Sequence, residues 1–303
     1  MTQAYDAIIA TITTASDATS VTKSMVKSTQ WREGTSGTWL STDCTLTAGK
    51  VYQFRTPLSG MGSSSTAILP NIKASVVVGW DTTATAITTV GDYFMAYYAQ
   101  SCSSLTSLSV PDTSGLTSVG NYFMSVYASN CTSLTSLSVP DTSGLTSVGN
   151  YFMYGYAQSC SSLTSLSVPD TSGLTSVGTY FMAYYARSCT ALTSLSIPDT
   201  SGLTTVGSNF MYAYAYGCSS LTSLILPSAT GWFASNNVSW SVPSTRLGYL
   251  YGYTPNATSQ TAWQALTASG KTLYINYIQD PSYVKLLTNI LNIAQYYARM
   301  RGN

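Results

Sequence analysis

Five cysteines, Cys102, Cys131, Cys160, Cys189 and Cys218, stand 29 residues apart, and a thiol column that regular could form disulfides, hold a soft metal or simply pack. Stacked strands lie about 4.8 Å apart, within disulfide reach, but identical positions on parallel repeats aim their Cβ atoms the same way. A straight ladder also lacks chelating geometry. The spacing therefore predicts a buried row of reduced thiols packed as small hydrophobes. Asp112, Asp141, Asp170 and Asp199 form a second column. It suits either a Ca²⁺ ladder or four solvated turns in which each aspartate bonds its own backbone, and the solvated turns are preferred. The chain has no histidine, and Glu33 is its only glutamate. The usual general base, triad member and zinc ligand are missing together. No catalytic residue, metal or cofactor is expected, and the chain reads as non-enzymatic.

Both columns are products of one motif. From Gly91 to Cys218 a 29-residue unit is written repeatedly, as in Asn121 to Gly149, NYFMSVYASNCTSLTSLSVPDTSGLTSVG. Such a period means a solenoid. In LTSLSVP, Leu108 and Val110 lie two apart with Ser107 and Ser109 facing the other way, which predicts a strand; Pro111 ends it and Asp-Thr-Ser-Gly turns the chain. From Asp92 to Cys102 the period changes. Phe94, Met95, Tyr98, Ala99 and Cys102 fall on one stripe of a helix, and the same types recur in every copy. The expected core is therefore Phe94, Met95, Cys102, Phe123, Cys131, Phe152, Cys160, Phe181, Cys189, Phe210 and Cys218. Stacking such units predicts an α/β fold, a parallel sheet with short helices on the other face, capped at both ends.

Variation between copies concentrates between the fixed Met and the fixed Cys. The positions there include Tyr97 and Gln100, Tyr154 and Gln158, Tyr184 and Arg187, and Tyr212 and Tyr216, on the expected helix exterior. Ordinary solvated helices carry Lys and Glu, whereas Tyr beside small residues is the composition of binding loops. These eight are the candidate binding residues. The serines Ser107 and Ser109, Ser136 and Ser138, Ser165 and Ser167, and Ser194 and Ser196 line the opposite face. They could meet a regular lattice or simply be solvated.

Outside the array, residues 1–30 carry a weakly helical pattern (Ile8, Ile9, Ile12) followed by a second short helix in SDATSVTKSMV. Residues 31–69 read as an N-terminal cap with short strands in TWLSTDCTL and KVYQF. The solenoid occupies 70–227, a C-terminal cap 228–280 with a closing strand in GKTLYINYI, and a helix apolar nearly all round 281–303. Charged residues make up 8% of the chain and the net charge is +1, which disfavours a nucleic-acid partner. No run of about 18 apolar residues spans a bilayer. The N-terminus lacks the basic region of a secretory signal, so export is expected by another route or after removal of a leader.

The pattern CSSLTSLSVPDTSGLTSVGNYF resembles the BspA-like leucine-rich repeats of bacterial surfaces, which pair C-x-x-L-x-x-L-x-x-P with a following I/V-G and an A-F helix. The resemblance covers roughly Leu69 to Pro227. It implies a leucine-rich-repeat solenoid acting as an extracellular adhesin or binding surface, with a helical side widened by the extra residues MSVYASN. SDATSVTKSMV also resembles the starts of tail-fibre-like proteins of gut phages. Two functions follow as expectations: a recognition module gripping a surface protein or glycan through its Tyr-rich face, or a fibre subunit assembling with sister chains through that face and the terminal helix.

Overall fold

A computed structural model describes residues 7–15, 19–21, 30–58, 68–69, 71–81, 87–199, 202–221, 223–226, 247–251 and 273–276. Coils run from 92–120, 121–149, 150–178 and 179–207, with a fifth beginning at 208. Each coil has three sides. The first is a short strand: β8 (Ser107–Leu108), β10 (Ser136–Leu137), β12 (Ser165–Leu166), β14 (Ser194–Ser196) and β16 (Ser223–Leu226). Its pairings are parallel and in register, Ser107 with Ser136 and Ser165 with Ser194. The second side follows the Pro-Asp-Thr-Ser-Gly turn as β9 (Ser118–Val119), β11 (Ser147–Val148), β13 (Ser176–Val177) and β15 (Thr205–Val206). The fold is thus a β-solenoid of stacked parallel strands, with Leu, Val, Phe, Met, Tyr and Cys columns filling its interior.

The third side corrects the expectation of short helices: among the described residues there is no α-helix. From Asp92 to Ser101 the backbone turns repeatedly, with left-handed residues at Tyr93 (φ 62°), Met95 (51°), Tyr97 (59°) and Ser101 (62°). The N–H groups of Tyr93, Tyr97, Ala99 and Ser101 do not bond within their own coil. They reach the carbonyls of Asn121, Ser125, Tyr127 and Ser129 in the next one, at 2.7–2.9 Å. Spacing gives the reason. A helix with its side chains is about 10 Å across, whereas strand-paired coils advance by about 4.8 Å, so one helix per coil does not fit. On this side too the coils are closely spaced, with Phe123 and Phe152 ring centroids 5.4 Å apart. Inward positions about four residues apart mimic a 3.6-residue period over so short a run.

The N-terminal segment is also corrected from helix to strand. β1 (Ala7–Thr14) pairs antiparallel with β5 (Val51–Pro57) and β6 (Ala74–Trp80). Ile8, Ala10, Ile12 and Thr14 are buried, a two-residue period in a β-branched run that outweighs the Ile8, Ile9, Ile12 pattern. Within SDATSVTKSMV the described part is also a strand, β2 (Thr19–Val21), paired with β4 (Cys44–Leu46). β3 (Gln30–Glu33) lies at the outer edge against β5. β6 joins the two systems, antiparallel to β1 and parallel to β8, so the cap prolongs the solenoid sheet. β7 (Thr89–Val90) does the same for the second side, beside β9. Trp80 stacks on Phe94, centroids 5.6 Å apart, and starts the phenylalanine column.

Beyond the array, β17 (Leu247–Tyr251) and β18 (Leu273–Asn276) extend the sheet in parallel from β16, with β18 inside the expected closing strand. The helix expected at 281–303 lies outside the described residues, as does most of 228–280.

Candidate functional site

Cys102, Cys131, Cys160, Cys189 and Cys218 are all buried and unpaired. Cys131, Cys160, Cys189 and Cys218 each donate to an alanine carbonyl of the preceding coil, Ala99, Ala128, Ala157 and Ala186, at 3.0–3.1 Å. Burial pushes Cys131 up to about 12 and Cys218 to about 11. A thiol so far from its thiolate is a poor nucleophile and metal ligand. Cys44 is likewise buried, and burial with the neighbouring Asp43 charge raises it to about 11.

Three aspartates of the column, Asp112, Asp141 and Asp170, form Asx turns. Asp112 Oδ1 accepts the Ser114 N–H at 3.0 Å and hydroxyl at 2.7 Å, and Asp141 and Asp170 repeat this with Ser143 and Ser172. These bonds hold the Asp112 and Asp170 carboxyls below the usual range. Thr113 joins one turn to the next by donating to the Asp141 carbonyl at 2.7 Å. Among the described residues no cluster of Cys, Asp or Glu could hold a metal ion.

The phenylalanine and methionine columns are fully inside: Phe123, Phe152, Phe181, Phe210, Met95 and their equivalents are at most 3% exposed. A tyrosine column also lies inside. Tyr127, Tyr156, Tyr185 and Tyr214 cross the interior and donate to Ser109, Ser138, Ser167 and Ser196 carbonyls of the preceding coil.

The eight candidate binding residues divide. Tyr154, Tyr184, Arg187, Tyr212 and Tyr216 form one cluster on the turn face. Tyr154 meets Tyr184 edge to face at 5.3 Å, Tyr184 meets Tyr212 at 5.4 Å, and Arg187 lies over Tyr184 and Tyr216 at 5.1 and 5.7 Å. Gln158 folds over Gly155. Tyr97 and Gln100 stand apart on the first coil, separated by a second coil whose Ser125 and Ser129 are buried. Tyr212 and Tyr216 are the most open, 38% and 47% exposed.

Part of the variation between copies is packing compensation. At two adjacent positions a large residue goes with a small one: Ala96 with Tyr97, Tyr154 with Gly155, Ala183 with Tyr184, Tyr212 with Ala213. The small member is buried in each case.

Compared with known families, residues 88–237 match the BspA type leucine rich repeat region in 6 copies. The repeat array belongs to the BspA-type leucine-rich repeats. This family points to an interaction or adhesion module and is generally found on bacterial surface proteins. No curated protein and no solved structure matches the chain. Among the described residues no helix is long and apolar enough to cross a membrane.

Two features of these BspA-type repeats escaped the sequence reading. Tyr93, Tyr122, Tyr151 and Tyr180 form a partly exposed row with near-parallel rings, centroids 4.5, 4.5 and 4.8 Å apart. The signal is a tyrosine immediately before four of the five Phe-Met pairs, the fifth having Asn209 there. Asp92, Asn121 and Asn150 form the second. Asp92 Oδ1 accepts the Asn121 N–H at 2.7 Å, Asn121 Oδ1 that of Asn150 at 2.9 Å, and Asn150 Oδ1 that of Thr179 at 2.8 Å. Each side chain caps the backbone of the following coil.

Proposed function

We propose that this chain is a non-enzymatic recognition or adhesion module working outside the cell, and that it grips a surface protein or glycan through the Tyr154, Tyr184, Arg187, Tyr212 and Tyr216 cluster. The observation that carries this reading is the cluster itself: aromatic rings and one arginine, largely fixed by each other, on a face almost without other charge. Tyr and Arg are the residues that dominate binding energy at interfaces, and rings held in place lose little entropy on contact. The serine face offers small hydroxyls and little apolar area.

Fluorescently labelled chain applied to host cells and to immobilised matrix proteins and polysaccharides tests the reading. Arg187→Ala with Tyr216→Ser should weaken retention, while Ser107→Lys with Ser136→Lys should not; the reverse pattern moves the active surface to the sheet.

A second reading, a fibre subunit, is favoured by the exposure of Val206, Tyr212 and Tyr216, large side chains open to contact with a sister chain. Light scattering on the purified chain separates the two, since a monomer at micromolar concentration removes the fibre reading.

A further inference from the structure

We propose that the row Tyr93, Tyr122, Tyr151 and Tyr180 is a site of oxidative tyrosine coupling, in which neighbouring phenols of successive coils become joined through their ring carbons and staple the solenoid covalently. This inference stands independently of the recognition reading. Three observations converge on it. The rings are near-parallel, with interplanar angles of 7°, 4° and 11°, and their centroids lie 4.5–4.8 Å apart. All four side chains are partly exposed, so a small oxidant or an enzyme-borne one reaches them. The groups that would otherwise quench a phenoxyl radical, the thiols, are buried, each Sγ from Cys131 onward facing a carbonyl of the coil before.

The chemistry balances with hydrogen peroxide as the oxidant, used by a haem peroxidase. Each of two phenols gives up one electron and its hydroxyl proton, and the peroxide takes both pairs to become two waters. The two radicals combine between ring carbons ortho to oxygen. Each of those carbons then releases its hydrogen as a proton, and each oxygen takes one up, restoring two phenols joined by a carbon–carbon bond. The geometry selects partners 29 residues apart. The edge-to-face pairs Tyr154–Tyr184 and Tyr184–Tyr212, at 82° and 87°, lack this parallel stacking, as do the contacts of Tyr154 with Tyr151 and Tyr180 at 69° and 80°. The interior Tyr98 to Tyr214 column is closed to the oxidant, all five members being at most 1% exposed.

The test treats the dilute native chain with a haem peroxidase and hydrogen peroxide, follows blue dityrosine fluorescence, and maps linked peptides by mass spectrometry. Expected are links within one chain between Tyr93 and Tyr122, Tyr122 and Tyr151, or Tyr151 and Tyr180. No fluorescence, links only between chains, or links chiefly at Tyr154 and Tyr184 overturns the proposal. The variant Tyr122→Phe with Tyr180→Phe keeps the ring stack but leaves every remaining phenol of the row without a phenol neighbour in it. Its mapped links within the row should vanish and its fluorescence should fall sharply with an unchanged circular dichroism spectrum, and undiminished fluorescence from the folded variant equally overturns the proposal.

Discussion

The hydroxyl of Tyr185 donates a 2.7 Å hydrogen bond to the carbonyl oxygen of Ser167, eighteen residues earlier in the sequence and on the far wall of the solenoid. The bond ties the turn side of one coil to the strand side of the coil before it, and its neighbours at Tyr127, Tyr156 and Tyr214 repeat it. Tyr185→Phe keeps the ring and its stacking but removes the donor of this part-buried bond. The expected loss is about 1 kcal/mol, read as a lower urea midpoint.

The glycine that closes each coil is crowded by the residue that opens it, Gly120 by Asp92, Gly149 by Asn121, Gly178 by Asn150 and Gly207 by Thr179. A Cβ on Gly149 would sit 2.7 Å from Asn121 Oδ1 and 3.0 Å from its backbone nitrogen, whereas one on Gly91 meets nothing within 4 Å. Gly149→Ala should therefore destabilise by about 1–3 kcal/mol, as overpacking does. Gly91→Ala should stay within about 0.5 kcal/mol, as an unhindered surface change does. Thermal unfolding of the two variants side by side checks the contrast.

Thiol accessibility gives a third expectation. Iodoacetamide should leave the column cysteines unmodified in the native chain and alkylate them all in urea. Cys160→Ala removes one sulfur hydrogen bond, worth about 1 kcal/mol, while Phe152→Ala opens a cavity costing about 3–5 kcal/mol. If the cysteine variant proves the more damaging of the two, the sulfurs do more than pack.

Alkali should unfold the protein. The interior thiols and phenols have folded pKa values raised by burial, Cys131 from 9.0 to about 12 and Tyr127, Tyr156, Tyr185 and Tyr214 well above 10.0. Groups raised in the folded state contribute stability that is fully present below their unfolded pKa and is lost as pH rises toward the folded value. Stability should be flat up to about pH 8 and fall progressively through the region of 9 to 12. A midpoint unchanged at pH 11 would place these groups in contact with water.

The tyrosine cluster should matter for stability as well as for contact. Each edge-to-face pair is worth about 0.5–1.5 kcal/mol, so Tyr154→Ser with Tyr184→Ser and Tyr212→Ser should lower the melting temperature. The corresponding Phe substitutions keep the rings and should restore it. Binding measurements are therefore best made on the Phe set.

The period, the core columns and the solvated aspartate turns could be read from the sequence because each is a local pattern repeated in register. The third side could not. Phe94, Met95, Tyr98 and Cys102 fit a helix and a chain of tight turns equally well over one coil, and the deciding quantity is the distance between coils. That distance is set by Ser107 pairing with Ser136, outside the stretch in question. β1 was missed for a related reason: Ala10 is small enough to look neutral, yet it completes the alternation of Ile8 and Ile12. The tyrosine cluster was legible as composition, whereas its internal contacts depend on rings reaching between coils.

The self-match between coils has a consequence for heredity. Asn121 caps Asn150 as Asn150 caps Thr179, and Ser107 meets Ser136 as Ser165 meets Ser194, so the cap and strand joints are the same from coil to coil. A slip in copying the gene that adds or drops one whole unit keeps these backbone joints in register, leaves only the variable turn-face side chains to refit, and lengthens or shortens the stack by one coil.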